Sequence, residues 1–158
     1  MKLRTLLATG AVIAGAIVTG AADAAAPVPC AGVVLLTGTS NVEVRTAGPQ
    51  TFVEFDFTGL HDVCLADGSR VQGTLAGHLV QRTSSSGDVS IHLEETLFYG
   101  GGTLDYRGEA SLAKGRWQSH IQTVGRGTGP LAGIHGQGEF FPTGPTSFAD
   151  VISYVYAP

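Results

Sequence analysis

The chain has 158 residues, 9 basic and 13 acidic, for a net charge of −4, and it is 43% apolar with 23 glycines. That is enough apolar content for a single well-packed domain. The basic residues are few and scattered, which excludes the electrostatic footprint of a nucleic-acid or anionic-membrane binder.

In chain order, residues 1–26 read as a secretory signal. Lys2 and Arg4 form a short positive start, and Leu6 to Ala22 is a run of apolar and small residues. Two small-x-small cleavage sites, Ala22-Asp23-Ala24 and Ala24-Ala25-Ala26, precede Pro27. Gly10, Gly15 and Gly20 dilute the run below what a membrane anchor requires. The residues before Cys30, Pro27-Val28-Pro29, are unlike a lipid-modification site. Cleavage leaves residues 27–158 as one domain, secreted, with seven basic and twelve acidic residues and a net charge of −5. The two cysteines, Cys30 and Cys64, both lie in this part, and in an oxidising compartment an even pair predicts one disulfide.

Beyond the leader, short β-type runs alternate with Gly, Pro, Asp and Ser punctuation. The pattern predicts strands over 32–37, 41–45, 51–58, 70–81, 89–99, 103–112, 116–124, 136–141 and 148–156, with no substantial helix. Period-two alternation assigns their faces. Val53, Phe55 and Phe57 share a side, as do Leu104, Tyr106, Gly108, Ala110 and Leu112. Val89, Ile91, Leu93, Leu97 and Tyr99 share one with Glu95. In 116–124 the same counting puts Trp117, Ser119, Ile121 and Thr123 inward and His120 and Gln122 outward. Runs with one apolar face predict an all-β fold, a single small antiparallel barrel of about eight strands, closed or nearly closed, which removes the liability of exposed strand edges. A two-sheet sandwich is the rival; glycines inside the strands, at Gly73, Gly77, Gly108, Gly136 and Gly138, favour the strong coiling of a barrel.

Few residues carry a chemical signal. Gly125-x-Gly127-x-Gly129 lacks the following helix that a phosphate cradle needs, so no nucleotide is expected. The histidines His61, His78, His92, His120 and His135 show no metal-ligand spacing and read as solvated surface groups; no metal or cofactor is expected. No Gly-x-Ser-x-Gly elbow is present. Glu95 is the one charged group on an otherwise apolar strand face. It is either a cavity carboxyl that binds a polar head group or moves a proton, or it is turned outward by a bulge. Tyr99, Tyr106 and Trp117 are the large aromatics of the expected inner face, and with Glu95 they are the candidate ligand-binding residues.

The segment 124–140 holds six glycines: Gly125, Gly127, Gly129, Gly133, Gly136 and Gly138. Its spacing, Gly-x-Gly-Thr-Gly-x-Leu-Ala-Gly-x-x-Gly-x-Gly, resembles the hallmark of the allene oxide cyclase barrel-like superfamily, which includes plant dirigent proteins and many bacterial barrels. The stretch from Tyr106 to Gln118, with Gly115-Arg116-Trp117, is similar to its bacterial members. The resemblance implies a small antiparallel barrel with an apolar central cavity, dimeric or trimeric among relatives. It transfers no catalytic residue, because the matched positions are turn and strand glycines. The expected function is non-catalytic binding of a small apolar ligand in the barrel. The alternatives are a cofactor-free cyclase or isomerase with Glu95 as its acid–base group, and a solidly filled structural module. The orientation of Glu95 and the size of the lumen separate the three.

Overall fold

The computed structural model describes residues 27–65, 67–144 and 146–156; the leader assigned to residues 1–26 lies outside them. Eight antiparallel strands close into one barrel in sequence order, β8 pairing back onto β1. They are β1 (Val28–Ala47), β2 (Gln50–Cys64), β3 (Arg70–Ser84), β4 (Val89–Tyr99), β5 (Gly102–Ala113), β6 (Arg116–Gly127), β7 (Ile134–Gly144) and β8 (Ser147–Tyr156). A single 3₁₀ turn at Gly129–Leu131 is the only helical element among the described residues. The expected all-β barrel is therefore what forms, and the sandwich is not.

The two runs expected at 32–37 and 41–45 are one strand, β1. The polar Gly38-Thr39-Ser40-Asn41 stretch between them stays in the ladder by means of two register shifts. Asn41 takes a positive φ of 51° and donates its side-chain amide to Asp56 at 2.6 Å, local compensation that a turn would not need. In the glycine-rich segment, β6 ends at Gly127, where a Cβ would run into the carbonyl oxygen of Leu131. Gly129, at φ +57°, then opens the tight turn into β7. The motif glycines thus serve the strand–turn–strand expected of them.

The apolar interior falls into two clusters. The lower one contains Val63, Leu97, Leu104, Tyr106, Val124, Ile152 and Tyr154 together with the Cys30–Cys64 disulfide, which ties β1 to the end of its neighbour β2. The upper one contains Val34, Phe57, Leu75, Leu79 and Leu93, with Ile91 and Phe148 packed against it.

The barrel is closed as expected, but two of its seams are short. β1 pairs with β8 only from Val28 to Leu35, while the β1–β2 hairpin continues to Ala47. β6 and β7 share only four register pairs, Ile121 to Val124 against Gly136 to Glu139. The upper part of β1 therefore projects beyond the closed ring with its outer edge unpaired among the described residues.

Candidate functional site in the barrel interior

Among the described residues, four polar ones, His61, Glu95, Gln122 and Asp150, are buried inside the barrel. Strand periodicity places them at one level. On β2, His61 lies between Gly59 and Val63, two residues apart on the same face; on β4, Glu95 lies between Leu93 and Leu97. On β8, Asp150 lies between Phe148 and Ile152. In each case the neighbour two residues away on one side belongs to the lower cluster, so the four residues form a polar belt between two apolar layers.

His61 is the centre of the belt. Its Nε2 lies 2.7 Å from Asp150 Oδ2, and its Nδ1 lies 3.0 Å from Glu95 Oε1. The first contact is an aligned hydrogen bond, whereas the second is at ion-pair distance but off the hydrogen-bond axis. Burial alone pushes the imidazole pKa down; the hydrogen bond to Asp150 and then the ion-pair contact with Glu95 outweigh it and carry it up to about 9. His61 is thus an imidazolium at neutral pH, with both ring nitrogens as donors. Its ring packs at a 37° tilt against that of Tyr106, centroids 4.7 Å apart, and the Tyr106 hydroxyl meets the Tyr154 hydroxyl at 3.0 Å. Burial raises both phenols above their ordinary range, so they remain neutral hydrogen-bonding groups. Gly32, opposite Asp150 in the β1–β8 ladder, makes room for this arrangement: a Cβ there would overlap the Asp150 carboxyl.

On its upper side the belt forms the floor of an apolar cavity walled by Val34, Phe57, Leu79, Leu93, Phe140 and Phe148, with Glu95 and Gln122 as its polar members. The free volume is about 20 Å³, room for about one water-sized body. Gln122 donates its amide toward Glu95 at a long 3.5 Å, and its own Oε1 is buried with no donor among the described residues. An unsatisfied buried acceptor costs roughly 1–3 kcal/mol, and a hydrogen-bond donor entering the cavity would remove that cost.

The sequence-derived candidates separate here. Glu95 faces the lumen: the ladders on both sides of β4 run without a register shift from Leu93 to Leu97, so no bulge turns it outward. Tyr106 is fully buried beneath it, and Tyr99 packs partly buried against the lower cluster, away from the cavity. Trp117, expected inside, is 38% exposed. It pairs with Leu112 at the start of β6, and the next pair is Ser119 with Ser111, so Gln118 is an extra residue. That bulge reverses the alternation downstream, turning Ile121 outward and Gln122 inward, opposite to the uninterrupted counting. The expectation that the histidines are surface groups is corrected for His61, which is completely buried, whereas His78 and His92 lie at the surface as expected and contact surface carboxyls, including Asp56 and Glu94.

His61, Gln122, Asp150 and Tyr154 were not singled out by sequence reasoning. The usable signal was the β8 alternation Phe148-x-Asp150-x-Ile152-x-Tyr154, in which an acid interrupts an apolar face just as Glu95 does in β4.

No protein-family model matches this chain, and no curated protein matches its sequence. Among solved structures, it is similar to a protein of unknown function of the DUF3224 family from Shewanella oneidensis, with a TM-score of 0.60 and 13% identity over 84% of this chain and 98% of that one. At that identity the likeness is one of fold.

Proposed function

We propose that the protein is an exported barrel that binds a small, largely apolar molecule carrying one hydrogen-bond-donating end, without covalent chemistry. The observation that carries this reading is the unpartnered Gln122 Oε1 beside Glu95 on the floor of an otherwise apolar cavity. Apolar walls supply affinity and a few fixed polar groups supply orientation, the usual composition of a ligand site. Because the unoccupied volume admits about one water, binding requires lining side chains to move, the partly buried Ile91 and Phe148 foremost. A carboxyl beside an orphan acceptor selects a hydroxyl or ammonium head and rejects a carboxylate.

Titration of the secreted protein with n-octanol, n-octylamine and octanoate tests this, read by amide chemical-shift changes around Glu95 and Gln122. Octanol and octylamine should perturb those positions and octanoate should not. Silence with all three would favour the filled structural barrel, the reading that the small lumen supports. The contact between Glu95 and His61 favours one further alternative, a cofactor-free cyclase or isomerase in which Glu95 exchanges a proton with a bound substrate and the imidazolium adjusts its basicity. Under that alternative Glu95→Gln abolishes turnover and leaves ligand affinity mostly intact.

A further inference from the structure

We propose that two copies of this chain join through the projecting part of β1, pairing antiparallel about a two-fold axis at Val44. The register identifies which backbone groups are free. Ala47 and Gln50 flank a two-residue turn, Gly48-Pro49, with Gly48 at φ +56°. Counting back from such a turn, Ala47, Arg45 and Glu43 make the ladder bonds to β2. The N–H and C=O groups of Thr46 and Val44 therefore point away from β2, onto the edge that β8 leaves uncovered beyond Leu35. The bulges in β1 lie before Glu43, so the segment that follows is regular and able to accept another strand.

Side chains say which strand it accepts. Val42 and Val44 are 59% and 67% exposed, large values for β-branched residues on a strand. Glu43 stands directly opposite Glu54, a like-charged neighbour within its own sheet. Arg45 stacks its guanidinium 4.1 Å from the centre of the Phe52 ring and makes no carboxylate contact among the described residues. A two-fold axis at Val44 puts Val44 opposite Val44 of the second copy, Val42 opposite Thr46, and Glu43 opposite Arg45, the last pair occurring twice. The outward-pointing groups of Val44 then bond reciprocally, so hydrogen-bond parity and charge agree on the same register. An unrelated strand would meet no such agreement, which is why the partner is the chain itself.

Sedimentation velocity from low micromolar to near-millimolar concentration tests the pairing. The wild-type protein should show a concentration-dependent dimer. Glu43→Arg and Arg45→Glu should each weaken it roughly tenfold or more, since either change creates two like-charged pairs. The double variant, Glu43→Arg with Arg45→Glu, should restore it. Val44→Cys, in a protein whose native cysteines are already bonded to each other, should form a reducible symmetric crosslink, because facing strand residues lie within disulfide reach. Thermal midpoints of all variants, expected close to wild type, separate loss of pairing from loss of fold. A monomer at every concentration, a double variant that stays dissociated, or a Val44→Cys protein that does not crosslink would each overturn the proposal.

Discussion

Replacing Asp150 with Asn tests the polar belt most directly, because it keeps shape while removing the shortest contact of His61, at 2.7 Å. In the wild-type protein the folded imidazole has a pKa of about 9 against an ordinary 6.5, so the folded state binds the proton more tightly than the unfolded chain. The resulting stabilisation is fully present below pH 6.5, declines through the window up to about 9, and is gone above it. A shift of that size corresponds to about 3 kcal/mol. Urea unfolding should therefore show stability falling by about that amount between those two pH values. In Asp150→Asn the burial that opposes the charged imidazole meets only Glu95, so the pKa should fall toward or below its ordinary value and the slope should flatten or reverse. His78, whose pKa is raised chiefly by its bond to exposed Asp56, adds a slope of the same sign, but it is common to both proteins and cancels in the comparison. Imidazole NMR titration reads His61 itself. A wild-type midpoint at or below 6.5 would refute the reasoning, whatever the urea data show.

Three further outcomes follow from the same geometry. Gly32→Ala should displace the Asp150 carboxyl and lower the His61 midpoint by NMR while leaving the β-type circular dichroism unchanged. Gly127→Ala, which drives a Cβ into the Leu131 carbonyl oxygen, should cost roughly 1–3 kcal/mol in urea unfolding, and more if the glycine-rich turn cannot shift. Replacing both Cys30 and Cys64 by Ala opens a link spanning 34 residues and should destabilise by about 4 kcal/mol in the chain-entropy model, read as a lower urea midpoint.

The barrel was legible because its signals are local and repeated: period-two faces, turn residues at regular spacing, and glycines where coiling is strongest. Glu95 was legible for the same reason, as one acid on an apolar face of an uninterrupted strand. The rest of the belt was hidden by particular irregularities. Gln118 bulges and inverts the faces of β6 downstream of it, hiding Gln122, whereas Trp117 precedes the bulge and is exposed because it stands at the start of the strand. β2 runs to Cys64, beyond the expected end at 58, so His61 looked like a loop residue; the Gly59-Leu60-His61-Asp62 stretch carries little β-propensity and is held in the ladder by pairing on both sides. Asp150 reaches His61 across a sequence separation of 89 residues, a contact that only barrel closure creates.

The belt is a poor way to stabilise a barrel of this size. Two carboxyls facing one imidazole, all out of water, require desolvation that their mutual attraction roughly offsets, and buried ionic triads can often be exchanged for apolar side chains without loss. Removing one member alone is different, because it strands the others unpaired. The combined variant His61→Leu, Glu95→Leu, Asp150→Leu should therefore be at least as stable as any of the three single changes, and its stability should be independent of pH between 6.5 and 9 apart from the surface histidines. If the triple variant is instead less stable than every single variant, the belt is a net structural asset, and the argument that it persists for binding loses its energetic basis. If it is as stable as predicted but no longer shifts with octanol or octylamine, then the chain keeps a charged interior, at no gain in stability, for what that interior recognises.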